Sequence, residues 1–218
     1  MTSLYVQYGC GFSAPDGWMN FDASPTLRLE RLPIVGQLVH RNAARFPPNV
    51  RPGNIVRGLP IADKSAAGVY ASHVLEHLSH QEFGLALANT LRIMSPGAQF
   101  RLIVPDLRAR AEKYLAELAA GETNANDKLL RTTYLGQDRR PRSIGDFTRS
   151  WIGNSAHLWM WDELSMSAAL KRTGFVSIRR CTFNDSNDPM FKRVENPDRF
   201  FDPVEQITEL AMEARKPA

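Results

Sequence analysis

The sequence predicts an α/β protein: an open, mostly parallel sheet with helices on both faces and an antiparallel last strand. Three observations carry this reading. Strand-like and helix-like segments alternate through the second half of the chain. Phe100 to Val104 is mostly apolar with little alternation, as a parallel strand covered on both faces would be. The first apolar run, Leu4 to Tyr8, breaks at once into Gly9-Cys10-Gly11, a strand end giving way to a tight turn. A length of 218 residues suits one domain with an insertion. A hydrophobic fraction of 43% and a charged fraction of 23% exclude a disordered, collagen-like or disulfide-framework chain.

The elements follow in order. Leu4 to Tyr8 is the first strand, and Trp18 to Phe21, ending at Asp22, is the second; the short link between them holds Pro15 and Gly17 and leaves no room for a full helix. Residues 24–53 are rich in Pro and Arg, and Ile34 to Phe46 is the one stretch there that reads as a short helix. Gly68 to Ser72, counted as the fourth strand, follows a turn at Ala62 to Ser65. His80 to Met94 is a helix, because Phe83, Leu87 and Leu91 recur on one face. Pro96-Gly97 predicts a turn before the strand Phe100 to Val104. Leu107 to Ala119 reads as an amphipathic helix with Ala111, Leu115 and Leu118 on one face. Residues 121–150 are polar and basic, an insertion or lid. Asp162 is placed to cap a helix running to Thr173, with Gly174 as its C-terminal stop. Val176 to Cys181 is a strand, 184–203 a loop, and Ile207 to Arg215 a last strand, with a helix as the competing reading. A closing strand reached through a loop, not a helix, pairs antiparallel.

The net charge of +4 permits an anionic partner without arguing for nucleic acid. Two cysteines, Cys10 and Cys181, do not require a disulfide, so a reducing, cytoplasmic setting is expected. The first residues lack a signal-peptide pattern, and no apolar stretch approaches the roughly 20 residues that span a bilayer.

Chemistry concentrates at the strand ends. Glycines at 9 and 11 let the backbone come close to a ligand. Asp22, ending the next strand, is placed to accept hydrogen bonds from a ribose diol. The spacing is shorter than the roughly 20 residues of the dinucleotide fingerprint, and no third glycine or full helix follows, so a ligand with a ribose and no diphosphate fits better.

Further segments point to a family. Gly53-Asn54, Gly58-Leu59-Pro60-Ile61-Ala62-Asp63, Leu75-Glu76-His77-Leu78, Arg92-Ile93-Met94-Ser95-Pro96-Gly97 and Val104-Pro105-Asp106 stand in that order, with His157 leading to Gly174-Phe175 and a tail from Glu209 to Pro217. The run, about residues 4 to 215, resembles class I S-adenosylmethionine-dependent methyltransferases of the broad type-11 group, which have a Rossmann-like sheet. The resemblance implies that Tyr8, Gly9 and Gly11 line the methionine end of S-adenosylmethionine, that Asp22 binds the ribose, and that Leu59 lies near the adenine. It implies that Asn54, where the family usually has Asp, accepts from the adenine amino group, and that Ser72 and His73 lie beside the methyl donor. The short link after the first strand and Ala98 in place of the second glycine after Pro96 depart from the pattern.

His73-Val74-Leu75-Glu76-His77 has three readings. On one helix face it would match the inverted zinc-peptidase pattern, provided the helix starts at His73. Two methyltransferase groups, ubiquinone-pathway O-methyltransferases and small-RNA 2′-O-methyltransferases, carry Glu-x-x-Glu-His here and hold a divalent metal; this chain has His73 at the first position. In the third reading Glu76 and His77 stabilise a helix start. The last is favoured, and no metal ligand is assigned. His157, near Trp159 and Trp161, is a candidate base or a His bonded to its own loop, and the two Trp either stack on a substrate or pack in the core. Asp106 stands at the pocket mouth or caps a helix.

The expected function is methyl transfer from S-adenosylmethionine to an oxygen or nitrogen of a small molecule, a sugar or secondary metabolite, with His73, His77 and His157 as candidate catalytic groups. An anionic acceptor would suit the basic insertion. RNA methylation, a non-catalytic cofactor-binding module and a metal-dependent hydrolase are the alternatives. No membrane partner is expected, and the oligomeric state stays open.

Overall fold

A computed structural model describes residues 3–32, 45–136 and 156–218. The main strands are β1 (Leu4–Tyr8), β2 (Trp18–Asp22), β3 (Val50–Pro52), β4 (Ala66–Ser72), β5 (Met94–Val104) and β6 (Val176–Arg180). A small hairpin, β7 (Phe201–Asp202) and β8 (Ile207–Thr208), precedes β9 (Leu210–Arg215). The helices are α1 (Pro25–Glu30), α2 (His80–Ile93), α3 (Leu107–Ala119), α4 (Ala125–Thr132), α5 (Glu163–Thr173) and α6 (Phe191–Val194).

The main sheet runs β3-β2-β1-β4-β5-β9-β6. β1 to β5 pair in parallel, and β9 lies antiparallel between β5 and β6. The expected mostly parallel sheet with an antiparallel last strand is therefore present. The chain moves outward from β1 to β3, then returns to place β4 on the other side of β1. The crevice at the carboxyl ends of β1 and β4 is thus the switch point where such sheets bind ligands.

Alternation along β4 divides the core. Val69 and Ala71 face α2 and α5 with Val6, Phe83, Leu87, Phe100, Met166, Leu170 and Phe175. Tyr70 faces the other way, onto Trp18, Ile103, Phe191, Val194 and Phe200. That second face is covered by the segment read from sequence as a loop, which contains α6 and a 3₁₀ turn at Pro197–Arg199. A four-residue helix falls below what side-chain periodicity can reveal.

The helix ends follow their capping chemistry. Ser79 accepts from the Glu82 amide while Glu82 reaches back to the Ser79 amide, fixing the start of α2. Asp162 caps α5 in the same way, and Gly174, at φ +106°, ends it. The short α1 begins with Pro25 behind the Ser24 cap. The expected helix Ile34 to Phe46 lies largely outside the described residues, as does the insertion beyond residue 136; its described part contains α4.

Two expectations are corrected. Pro96-Gly97 does not separate helix from strand. Met94 already pairs with Ala66, and the register moves to Gly68 opposite Gln99, so these residues form a bulge with Gly97 at φ +74°. The inward face of α3 is also not the apolar one: Leu115 and Leu118 are exposed, and Arg110 is buried. Arg110 binds both oxygens of Glu209 at 2.8 Å and also Asp202 at 3.3 Å, and Lys113 binds Glu205 at 2.7 Å. Paired ions, not leucines, dock this helix onto the segment before β9.

Candidate active site

β1 ends in a turn in which Gly9 and Gly11 take φ of +62° and +54°. A Cβ on Gly9 would collide with Cγ2 of Val74, whereas among the described residues nothing lies within 4 Å of one on Gly11. Gly9 is therefore needed for packing and Gly11 leaves open space over the backbone. Gly9→Ala should cost about 3 kcal/mol, combining a left-handed backbone with overpacking; urea unfolding measures this, and a loss below about 1 kcal/mol would contradict the packing account.

Asp22, at the end of β2, faces this turn. Its Oδ2 accepts the Gly11 amide at 2.9 Å and its Oδ1 the Ser24 amide at 2.8 Å. An ionised carboxylate offers about four lone-pair sites, so about two stay available. Asn54, just beyond β3, accepts the Val56 amide through Oδ1 at 2.8 Å. That turn occupies part of the oxygen expected to meet an adenine amino group, and leaves the side-chain NH₂ as a donor. Leu59 is buried and packs over Gly53, where a Cβ would lie 2.9 Å from its Cδ2. Phe12, 51% exposed beside Gly11, packs against Phe46 in a tilted pair with ring centroids 4.8 Å apart. This apolar platform was missed from sequence, because the two rings come from separate loops.

At the end of β4 the chain turns sharply through His73, at φ +53°. Leu75–His77 form a 3₁₀ turn and α2 starts only at His80, so the one-helix arrangement of the zinc-peptidase pattern is not realised; Glu76 and His77 belong to the short turn and stand ahead of α2. Glu76 is fully buried. His73 Nδ1 lies 3.5 Å and His77 Nε2 3.9 Å from its Oε1. The Glu76 carbonyl accepts the amides of Leu158 and Trp159 at 2.8 and 3.1 Å, which brings His157 alongside. His157 and His77 rings are 5.0 Å apart. Burial pushes the His157 imidazole down to about 4, so it is neutral near pH 7. Burial also opposes charge on His73, but the neighbouring Glu76 outweighs it and holds that imidazole above its ordinary value.

No family model matches the sequence, and no curated protein matches it. Solved structures do resemble it. A S-adenosylmethionine-dependent methyltransferase from Archaeoglobus fulgidus is 13% identical, with 98% of this chain and 86% of that one covered at a TM-score of 0.50. The CurJ carbon methyltransferase is 11% identical, with 100% of this chain and 50% of that one covered, also at 0.50. The fold is that of the S-adenosylmethionine-dependent methyltransferases.

On this methyltransferase fold the expected residues divide into two neighbouring groups. Gly9, Gly11, Asp22, Asn54 and Leu59 gather around the ends of β1, β2 and β3, and Ser72 and His73 end β4. The Tyr8 ring is buried in the core and its hydroxyl meets Thr90 at 3.2 Å, which leaves its main chain as the part that can face the crevice. Asp106 caps α3 through the amides of Arg108 and Ala109 and binds Arg180 at 2.9 Å. Trp161 is core, stacked on Phe83 at 4.0 Å, while Trp159 is 45% exposed and lies against His80. Tyr134, also exposed, lies 4.9 Å from the His157 ring. Among the described residues no helix is long and apolar enough to cross a membrane, and both cysteines are free and buried.

Proposed function

We propose that this protein transfers a methyl group from S-adenosylmethionine to an oxygen or nitrogen of a small-molecule acceptor. The observation that carries the reading is Asp22 at the switch-point crevice, with its two oxygens each holding one backbone amide and lone pairs to spare for a ribose diol. Gly11 leaves space for the ligand to approach, and the Phe12–Phe46 pair adds an apolar surface beside it. The ligand would need a ribose and no diphosphate, which S-adenosylmethionine satisfies.

The acceptor would approach over the end of β4. Exposed Trp159 and Tyr134 flank the histidine cluster there and offer flat faces for a sugar or another ring. In the reaction the acceptor's lone pair forms the new bond to carbon as the carbon–sulfur bond breaks, leaving S-adenosylhomocysteine and a proton. The sulfonium is already a good leaving group, so alignment supplies most of the catalysis. His73, His77 and His157 give the acceptor's proton somewhere to go.

Calorimetric titration with S-adenosylmethionine and S-adenosylhomocysteine tests the reading. Saturable one-to-one binding of both is expected. Absence of binding by either at millimolar ligand would overturn it.

A further inference from the structure

We propose that Glu76, His77 and His157 form a binding site for one divalent first-row metal ion, with Zn²⁺ as the best match. His157 is far from Glu76 and His77 in sequence, and the fold brings the three together.

Glu76 has no exposure, and among the described residues neither of its oxygens has a hydrogen-bond partner. A carboxylate removed from water is costly unless something positive meets it. Among the described residues the ring nitrogens nearest its Oε1 are His73 Nδ1, at 3.5 Å, and His77 Nε2, at 3.9 Å. His77 Nδ1 lies 3.0 Å from the Ala156 carbonyl. A carbonyl can only accept, so Nδ1 carries the hydrogen, and Nε2, the atom facing Glu76, keeps its lone pair. His73, with Nε2 toward the Arg199 carbonyl at 3.0 Å, can donate to Glu76 from one side through Nδ1 when protonated. His157 is buried, and among the described residues its Nδ1 has no partner. On the other side of the carboxylate, lone pairs of His77 and His157 are left to converge with those of Glu76.

A cation resolves this. One ligand atom each from Glu76, His77 and His157 lies within 4.8 Å of the others. Around a tetrahedral zinc with bonds of about 2.0–2.1 Å, ligand atoms stand about 3.4 Å apart, so small side-chain rotations close the cluster. Two imidazoles and one carboxylate form a borderline donor set that suits Zn²⁺, Co²⁺ or Fe²⁺ and leaves a coordination position open; Mg²⁺ and Ca²⁺ prefer all-oxygen sites. The Ala156 carbonyl is the kind of outer partner that fixes a ligating histidine's tautomer. Beside the end of β4, the open position would hold an acceptor oxygen and favour loss of its proton. That use rests on the methyl-transfer reading; the metal binding does not.

The test uses the full chain stripped with a chelator and titrated with Zn²⁺, Co²⁺ and Mg²⁺, in the absence of S-adenosylmethionine. One equivalent of Zn²⁺ is expected to bind, Co²⁺ to show visible absorption of a low-coordinate nitrogen–oxygen site, and Mg²⁺ to bind far more weakly. His77→Ala and His157→Ala should each weaken Zn²⁺ by more than about 100-fold, since even outer partners of a ligand cost about 10–100-fold. His80→Ala, which alters an exposed ring nearby, should bind like the parent. No stoichiometric Zn²⁺ or Co²⁺ in the parent would overturn the site and leave a proton as the partner of Glu76. Undiminished binding in both His77→Ala and His157→Ala would overturn it equally. The parent titration decides even if a variant fails to fold, and it leaves S-adenosylmethionine binding to be judged separately.

Discussion

Asp22→Ala should lose about 100-fold or more in affinity for S-adenosylmethionine. A hydrogen bond to a charged group contributes about 1.5–3 kcal/mol, and the proposed ribose diol would make two of them. Removing both comfortably exceeds the 2.7 kcal/mol that corresponds to about 100-fold. A second effect acts in the same direction. The carboxylate also receives the Gly11 and Ser24 amides, so it holds the turn that bounds the crevice. Asp22→Asn separates the two contributions. Its one carbonyl oxygen can retain one of those amides, but its NH₂ must face the other, so it should bind better than Asp22→Ala and worse than the parent. Both variants should melt within a few degrees of the parent, because Asp22 is partly exposed and the freed amides can reach water. Calorimetry of the three proteins, checked by thermal melts, reads the result. Parent-like affinity in Asp22→Ala would remove the ribose assignment.

The residues that were legible in sequence acted locally. The Gly9-Cys10-Gly11 turn follows from a β-run meeting two glycines, and the ends of α5 follow from Asp162 and Gly174. Asp22 was legible because strand ends in such sheets face the crevice. Other features depend on distant partners. Arg110 reverses the face of α3 because Glu209 and Asp202 wait for it across the fold. The histidine cluster could be half read from His73 to His77, but His157 joins it only because the Glu76 carbonyl captures the loop of Leu158 and Trp159. Asn54 lies just beyond β3, and its oxygen is partly engaged by a turn that spacing alone does not reveal. For Arg110 and His157 the missing information was a long-range polar contact, which neither periodicity nor capping rules encode; at Asn54 it was a local turn between residues two apart.

Arg101 is the strongest instance, and Arg101→Met should destabilise the protein by about 3–5 kcal/mol. In sequence it is one basic residue inside an apolar strand. In the fold it is 1% exposed at the middle of β5. Its Nε donates to Glu195 at 2.6 Å, its Nη1 to Glu213 at 2.6 Å and to Asp185 at 2.8 Å, and its Nη2 to the Thr182 carbonyl at 2.9 Å. It therefore ties β9 and the segment after β6 to the sheet. Met would fill much of the volume but orphan the carboxylates. Glu213 and Asp185 would retain Arg179, whereas Glu195 would retain only the Asn184 amide. Burial already pushes the Glu195 carboxyl above its usual range despite that amide and Arg101, and loss of the guanidinium would push it further. The sign of the pH effect follows. Folded Arg101→Met would bind a proton at Glu195 that the unfolded chain binds only at lower pH, so its stability falls as pH rises through the raised value. Its deficit against the parent should consequently be largest near pH 7 and shrink toward pH 5. Arg101→Met combined with Glu195→Gln should recover part of the loss at pH 7, because the unpaired charge is gone. Urea unfolding at both pH values measures all three proteins. A deficit independent of pH, with no recovery in the double variant, would mean that lost packing, not orphaned charge, sets the cost.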